Sequence, residues 1–413
     1  MPTESDPLAG EAAAEPAKAR LPMNRAFIPV LLTVCLDLVG FGIVIPLLPY
    51  FAEEYGATPA QVTWLMATYS LAQFLMAPVW GRLSDRHGRR PIMLFSTFAT
   101  AVGLLAFGLA PTLGLLFLFR TLHGAATANI STAQACMADL TTPANRAMGM
   151  GLIGAAFGFG FTVGPFLGGE LSRFGYHVPL LVAAGLSFLN FALAFFLLPE
   201  TRKPGPSEGH QRSLSPAAFL AVARHPVVGL CVVLTFVLTS AFALMESTFT
   251  LFAKHVHGLD AVHVGRMFGV VGLSAIIIQG GLIRRLVKRY GEGPLVIAGV
   301  VILAVGLFLL PELPPTLPML GSFLVISVGQ SITNPSLNAL ISQGTAPSEQ
   351  GFVLGTNQSM SAIARVIGPT LGGFLYAGVG PRAPFFVAGG VLVLSLFLVR
   401  AALRQRTAGD LAV

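Results

Sequence analysis

Long apolar runs, joined by short polar segments, set the pattern of the chain. Two of these runs, Val62–Trp80 and Ile92–Ala110, flank a polar segment of eleven residues, Gly81–Pro91. Each run has the length, roughly 20 apolar residues, that a helix needs to cross the hydrocarbon core of a bilayer. So short a connection is not typical of two soluble core helices. The pattern therefore predicts two membrane-spanning helices with a turn at Gly81 and Gly88 between them.

The same pattern repeats along the chain and predicts twelve spanning helices. The longest polar stretch between two of them, Pro199–His225, separates the first six from the last six. The fold class is therefore an all-α membrane protein with two six-helix bundles. The predicted domains are a disordered cytoplasmic tail over residues 1–25, a bundle over 26–198, a linker over 199–225, a bundle over 226–402 and a tail over 403–413. The spans are predicted at Ala26–Tyr50, Val62–Trp80, Ile92–Ala110, Leu113–Ala138, Ala147–Leu171, Val178–Leu198, Pro226–Phe252, Val262–Ile283, Pro294–Leu310, Leu317–Ser342, Gly351–Tyr376 and Pro384–Ala402.

The two halves share sequence motifs. Gly164–Gly169, with proline as its second residue, recurs 204 residues later as Gly368–Gly373. The segment around Gly291 repeats the one around Gly88 at an offset of 203 residues. Several matches in register indicate a duplicated six-helix unit. Repeats of this kind place a substrate site between the halves, near the middle of the membrane.

Composition supports a membrane protein and excludes several other classes. The 413 residues are 54% hydrophobic and 10% charged, with a mean hydropathy of +0.76, whereas soluble proteins have about a quarter charged residues. The net charge is +7, but the basic residues lie in short loops, which indicates topology and not a nucleic-acid partner. Cys35, Cys136 and Cys231 lie in apolar runs, so we expect free thiols and neither a metal nor a cofactor. The chain has no P-loop, so direct ATP hydrolysis is not expected.

Basic residues are distributed unequally between the two sides of the predicted bundle. With the N-terminus inside, nineteen Lys and Arg residues fall on the cytoplasmic side and four on the external side, and Arg120 and Arg365 lie within helices. By the positive-inside rule, both termini are cytoplasmic. We therefore expect an integral protein of the plasma (inner) membrane.

Gly81–Pro91 resembles the loop between the second and third helices of the major facilitator superfamily, whose pattern is G-x-L-x-D-R-x-G-R-R. The resemblance implies a cytoplasmic latch that closes the inner side in the outward-facing state and breaks on switching. The alternative is a solvated basic loop, or a screened surface ion pair worth about 0–1 kcal/mol. The latch residues are Gly81, Asp85, Arg86, Gly88, Arg89, Arg90, Asp139 and Arg146.

The Gly-Pro-x-x-Gly-Gly motif resembles the fifth-helix motif of the drug/proton antiporters. Most of the chain is similar to the twelve-helix tetracycline/proton antiporters, and the similarity is tightest from Leu36 to Gly169. The resemblance implies a kinked hinge that seals the outer end; the alternative is ordinary packing of small residues. Those antiporters carry a substrate-linked acid within helix three, where this chain has Gly103, so tetracycline itself stays open as the substrate. The hinge residues are Gly164, Pro165, Gly168, Gly169, Gly368, Pro369, Gly372 and Gly373.

Charged residues inside the spans are costly in a bilayer and are candidates for function. Asp37 can bind and release a proton during transport; the alternative is a static ion pair. Arg120 matches the family's R-x-x-x-G motif, whose arginine is linked to proton transfer, and it is the expected partner of Asp37; the alternative is an arginine that snorkels outward. Glu246 and Arg365 form either a neutralising pair or part of a substrate and proton site. The predicted proton-coupling residues are Asp37, Arg120 and Glu246.

Uncharged polar residues within the spans are candidates for the substrate cavity, with hydrogen bonds that hold helices together as the alternative. The predicted cavity residues are Tyr69, Gln73, Asn334, Gln358 and Arg365. The histidines show no metal-ligand spacing and are predicted to be solvated loop residues; they are His87, His123, His255, His257 and His263.

These observations together predict a proton-coupled secondary transporter that exports amphiphilic organic compounds by alternating access. Its partners are a small amphiphilic substrate, protons and the lipid bilayer, and the resemblance implies a monomer. The alternative on the same fold is a metabolite or lipid facilitator. A membrane enzyme or receptor is the alternative of another class; no set of catalytic side chains converges at one membrane face, and the external loops are short.

Overall fold

The computed structural model describes residues 27–141, 146–202, 226–315, 317–345 and 350–410. The predicted N-terminal tail and most of the predicted linker lie outside these residues. Within them the secondary structure is helical, with no strand. The α-helices are α1 (Phe27–Glu54), α2 (Pro59–His87), α3 (Arg89–Gly108), α4 (Leu113–Ala126), α5 (Asn129–Leu140), α6 (Arg146–Leu171), α7 (His177–Leu197), α8 (Pro226–His257), α9 (Ala261–Ile277), α10 (Ile283–Tyr290), α11 (Glu292–Leu309), α12 (Leu317–Gln343), α13 (Gln350–Gly378) and α14 (Ala383–Asp410).

The predicted all-α membrane fold is confirmed. Nine helical stretches among the described residues are long and apolar enough to cross a membrane. The three remaining predicted spans are the broken fourth one, which comprises α4 and α5, and the long helices α12 and α13. Polar residues such as Asn334 and Arg365 lower the hydropathy of α12 and α13, and both helices still have spanning length at 27 and 29 residues.

The ends of several helices differ from their predicted positions. α2 continues through the basic segment to His87, so Gly81 lies inside a helix and not in a turn. The turn consists of Gly88 alone, whose φ of +102° is readily adopted only by glycine. α14 extends to Asp410, so most of the predicted C-terminal tail is helical. The helix α2 passes through Gly81 without a break, and in α14 no glycine or proline directly follows the apolar run, so each helix continues beyond it.

The predicted fourth span is not one continuous helix, because the chain leaves helical geometry at Thr127 and Ala128. The backbone groups exposed by this break are satisfied by side chains from neighbouring helices. Trp80 donates a hydrogen bond from Nε1 to the carbonyl of Ala125 at 2.6 Å, and the N–H of Ala128 donates to Ser96 Oγ at 2.6 Å. Since unpaired backbone groups are costly in an apolar bundle, these two bonds make the break tolerable.

Each half of the chain forms its own set of packed helices. In the first half, α1 packs on α6 and α7, and α3 packs on α4 and α7. In the second, α8 packs on α13 and α14, and α11 packs on α12 and α14. The halves meet where α6 packs on α9 and α2 packs on α13. These two interfaces correspond to one another under the sequence repeat.

Glycines of the repeated motif let helices within each half approach at backbone distance. A Cβ on Gly164 would lie 2.7 Å from the Cα of Gly42 on α1, and one on Gly168 would lie 2.5 Å from the carbonyl oxygen of Ile43. In the second half, a Cβ on Gly368 would lie 2.7 Å from the carbonyl oxygen of Ser240 on α8. The first and fifth residues of each motif therefore serve the packing of their own half.

The last glycine of each motif contacts the opposite half. A Cβ on Gly169 of α6 would lie 2.8 Å from the carbonyl oxygen of Ala261 at the start of α9. A Cβ on Gly373 of α13 would overlap Thr63 Oγ1 on α2. The two motif copies thus make equivalent contacts across the interface, as expected for a duplicated unit.

We expect Gly164→Val to destabilise the protein by about 1–3 kcal/mol, because the new side chain must displace the α1 backbone. Gly185→Val is the matched control, since no atom lies within 4 Å of a Cβ at that helical position. The measurement is thermal unfolding of both variants in the same detergent. Equal midpoints for the two variants would contradict the packing role.

Candidate functional site

The molecule has a basic end and a far end. The basic end carries Gly81–Arg90, and the far end carries the loop between α1 and α2, residues 55–58. At the basic end, Arg89 Nη1 lies 2.6 Å from Asp85 Oδ1 and Arg89 Nε lies 3.0 Å from Asp139 Oδ2. Three of the predicted latch residues therefore form one charge cluster, which joins helix ends of the first half only.

Other predicted latch residues have different surroundings. Arg90 donates a hydrogen bond to the carbonyl oxygen of Phe195 at 2.7 Å and lies over the ring of the same residue. Arg86 is exposed, and Gly81 has open space beside it. The side chain of Arg146 lies outside the described residues.

Glu200 completes the charge cluster, and its role was not predicted from the sequence. Its carboxylate accepts the backbone N–H groups of Arg89 at 2.9 Å and Arg90 at 3.1 Å, at the N-terminus of α3. It occupies the space that a side chain at Gly88 would take. Partial burial raises the pKa of Glu200, but the N–H donors of Arg202, Arg89 and Arg90 outweigh it, and the pKa lies below its usual value. The sequence feature that could have indicated this role is the position of Glu200, two residues after the end of the predicted sixth span.

Asp37 is buried in the middle of the first half, at 7% exposure. Its Oδ1 accepts a hydrogen bond of 2.6 Å from Asn129 Nδ2, at the start of α5. No ion pair of 4 Å or less joins Asp37 to Arg120, so their predicted pairing is wrong. The break between α4 and α5 explains the difference, because it brings Asn129 against α1 while Arg120 stays on α4.

Arg120 is buried at 3% exposure, which contradicts the snorkelling alternative. Its guanidinium carbon lies 4.4 Å from the ring centre of Tyr69, and the rings of Phe41 and Phe107 are 5.9 and 5.8 Å away. Nε and Nη1 are buried with no hydrogen-bond partner. Gly124, the glycine of the R-x-x-x-G motif, is where α4 meets the α2 backbone, since a Cβ there would overlap the Tyr69 carbonyl. The motif therefore sets Arg120 over an aromatic surface.

His123 is also buried, at 3% exposure, so the prediction of a solvated loop residue is wrong for it. Its ring meets Tyr69 edge-on, with ring centres 5.1 Å apart. A Cβ on Gly103 would lie 2.9 Å from the Cβ of His123. His123 thus occupies the space that a side chain at position 103 would need, and this accounts for the glycine at that position.

In the second half, Glu246 on α8 and Arg365 on α13 interact electrostatically, but no ion pair of 4 Å or less joins them. Glu246 Oε1 is buried without a hydrogen-bond partner. The side chain of Arg365 is exposed, and its charge interacts with that of Glu246. Tyr69 interacts electrostatically with both Arg120 of its own half and Arg365 of the other half.

The remaining predicted cavity residues make no hydrogen bond with another side chain among the described residues. Gln73 is partly buried one turn after Tyr69, and Asn334 and Gln358 are exposed on α12 and α13. A cross-helix hydrogen bond instead joins Asn357 Nδ2 to Asn338 Oδ1 at 3.1 Å. Packing by hydrogen bonds therefore accounts for that asparagine pair, and not for the three predicted cavity residues.

Polar contacts between the halves occur at the far end. Glu53 on α1 forms an ion pair with Lys254 on α8, and Glu53 Oε1 also lies 3.0 Å from His255 Nε2 on the same helix. Glu170 on α6 pairs with Arg266 on α9 at 2.6 Å. His255 is therefore not a free solvated residue, contrary to its prediction. These contacts were missed because their partners are widely separated in sequence.

Comparison with known proteins agrees with this architecture. The family model described as Major Facilitator Superfamily matches residues 30–293 and 281–411. The chain belongs to the major facilitator superfamily. It is therefore an integral membrane transporter and not an enzyme, with the facilitator architecture of twelve helices in two bundles.

Among its facilitator relatives are bacterial resistance proteins and a human transporter. The tetracycline resistance protein of class C from Escherichia coli is 31% identical over 365 residues, 86% of this chain and 90% of that one. Multidrug resistance protein 2 of Bacillus subtilis is 27% identical over 376 residues, 90% of this chain and 94% of that one. The crystal structure of the human organic anion transporter MFSD10 matches with a TM-score of 0.71 and 28% identity, covering 92% of this chain and all of that one. The similarity to drug/proton antiporters is confirmed.

We expect Gly103→Ala to destabilise the protein by about 1–3 kcal/mol, because its methyl group would collide with His123. In a His123→Gly background the same change should be neutral or stabilising, since alanine is favoured over glycine inside a helix. Thermal unfolding of the two single variants and the double variant measures the coupling. Additive effects would show that His123 is not the obstacle at position 103.

Proposed function

We propose that this facilitator exports amphiphilic organic compounds in exchange for protons, by alternating access. The observation that carries the proposal is the buried carboxyl of Asp37, which is held by the neutral amide of Asn129 and not by a cation. A carboxylate in a close ion pair resists protonation, whereas one that accepts a single amide hydrogen bond can take up a proton at less cost. This environment favours a proton-binding role over a static ion pair.

Alternating access requires contacts that form at one end while they break at the other. The far-end ion pairs of Glu53 and Glu170 join the halves, so the arrangement supports a state open toward the basic end. We assign the basic end to the cytoplasmic side of the plasma membrane, so both termini are cytoplasmic. The protein acts as a monomer. On this assignment, opening to the outside breaks the far-end ion pairs. In that outward-facing state the Asp85–Arg89–Asp139 cluster binds the second half and closes the cytoplasmic side.

The wall around the buried charges suits an amphiphilic cargo. Tyr69 contacts Phe41 at 5.5 Å between ring centres, and Phe41 contacts Phe161 at 6.0 Å. Arg120 lies over the rings of Phe41 and Tyr69, and Tyr69 also interacts electrostatically with Arg365 of the second half. The names of the bacterial relatives, which confer tetracycline or multidrug resistance, support export of such compounds.

We expect Asp37→Asn to abolish transport driven by a pH gradient, because an amide cannot carry the exchanged proton. The assay uses proteoliposomes with an imposed pH gradient and a panel of amphiphilic cations, zwitterions and carboxylates. Glu54→Gln is the matched control, since Glu54 is an exposed carboxyl on the same helix. Efflux that persists without a pH gradient, or in the Asp37 variant, would reject proton coupling through this residue.

A second candidate function is the transport of organic anions. Arg120 is a buried cation with two unpaired nitrogen atoms and no carboxylate within 4 Å, and an anionic group of a substrate would supply the missing partner. Arg365, which interacts electrostatically with Tyr69, offers a second positive charge. The name of the human relative, an organic anion transporter, supports the same substrate class.

On this second reading, we expect the wild type to bind an aromatic carboxylate at least about tenfold more tightly than the corresponding primary amide. Arg120→Gln should remove the preference, while Arg82→Gln, an exposed arginine at the basic end, should keep it. Equilibrium binding in detergent is the measurement, because it does not depend on proton coupling. Equal affinity of the wild type for both compounds would exclude the organic-anion reading and leave drug export untouched.

A further inference from the structure

α10 is a short, strongly amphipathic helix at the basic end. It follows a π-helical segment, Ile278–Leu282, and continues the predicted eighth span. Its apolar residues Ile283, Leu286 and Val287 pack against the hydrophobic cluster that contains Leu295 and Ile332. The opposite face carries the exposed side chains of Arg284, Arg285, Lys288 and Arg289.

These four cations have no acidic partner among the described residues. Arg289 lies over the ring of Tyr290 at 5.3 Å, and no ion pair reaches any of the four. Arg284 and Lys288, like Arg285 and Arg289, are four residues apart and hence neighbours on the helix surface. Like charges at this spacing repel one another. An anion bound between them would relieve the repulsion.

The sequence repeat shows that this lack of counterions is specific to the second half. In the first half, the acids around the corresponding basic segment are Asp85, Asp139 and Glu200. The residues at the corresponding positions of the second half are Lys288, Gln343 and Arg404, none of them acidic.

The structure supports the register of this comparison. Gln343 Nε2 donates a hydrogen bond to Glu292 Oε1 at 2.7 Å. Under the repeat, Glu292 corresponds to Arg89 and Gln343 to Asp139, and those two residues form an ion pair in the first half. The positive-inside rule explains why bases lie at this end. It does not explain why acids pair with the bases of the first half, whereas Glu292, next to α10, accepts a hydrogen bond from Gln343 instead.

The depth of α10 relative to the bilayer selects the kind of anion. On the helix just before it, Leu273, Ile277 and Leu282 have exposed side chains, as expected for a surface that faces lipid tails. Arg284 follows only two residues after Leu282, or about 3 Å along a helix. Tyr290 is exposed at the other end of α10, and tyrosine favours the membrane–water interface. The basic face therefore lies at the level of lipid headgroups.

We propose that the basic face of α10, formed by Arg284, Arg285, Lys288 and Arg289, binds the phosphate headgroup of an anionic phospholipid. The cations contact the phosphate, and the exposed apolar surface before α10 contacts the acyl chains. Basic clusters next to a spanning helix attract anionic lipid in this way. The site is separate from the central charges and from the cargo.

Native mass spectrometry of the full-length protein, stripped of lipid in detergent, tests the site. Phosphatidylglycerol and phosphatidylcholine with identical acyl chains are titrated in parallel. We expect the wild type to bind phosphatidylglycerol preferentially. In the R284Q/R285Q/K288Q/R289Q variant its affinity should fall about tenfold or more, with phosphatidylcholine binding unchanged. The matched control is R284K/R285K/R289K, which keeps every charge and should keep the preference.

Two outcomes would overturn the proposal. One is an unchanged preference for phosphatidylglycerol in the glutamine variant, which would leave α10 as a topology signal or as a surface for the acids of the first half. The other is displacement of the lipid by millimolar inorganic phosphate, which would make the site one for a free anion. The elution profile of each variant on gel filtration checks that it remains folded.

Discussion

A charged group inside an apolar bundle is costly unless hydrogen bonds, another charge or water compensate it, and the centre of this transporter is arranged around that cost. Asp37 has one amide partner, and Arg120 has the faces of three aromatic rings. Glu246 has an unpaired oxygen and a distant arginine. Each charge is therefore incompletely compensated, which is the condition under which a proton or a charged substrate has something to gain by binding.

The two ends of the molecule use their charges differently. At the far end, ion pairs connect helices of opposite halves, as between Glu170 and Arg266. At the basic end, Arg89 connects two acids of the same half. The first arrangement holds the halves together, and the second leaves the halves free to separate while each helix end stays in place. A rocking transporter needs one end of each kind at any moment.

Much of the fold followed from the sequence, because apolar run length and charge asymmetry are local properties. The spans, the duplication and the Asp85–Asp139 cluster belong to this group. What the sequence did not reveal depends on contacts between distant segments. The break after Ala126 is stabilised by Trp80 and Ser96, which no local pattern near the break indicates. That break then decides which partner Asp37 receives.

The same limit applies to His123 and Gly103. Each residue alone has an ordinary explanation, a loop histidine or a helix-packing glycine. Only their separation of 2.9 Å, measured from a Cβ placed on Gly103 to the Cβ of His123, reveals that one makes room for the other. Glu200 likewise gains its meaning from the α3 N-terminus that it meets.

The final glycine of each repeated motif gives the interface between the halves an unusual surface. Gly169 lies against the backbone of α9, whereas Gly373 lies against the side chain of Thr63 on α2, and neither glycine adds a side chain of its own. Interlocked side chains hold two helices in a fixed register, because they fill one another's grooves. At Gly169 and Gly373 no such side chain enters the facing helix, so one bundle can move over the other there without first unpacking side chains.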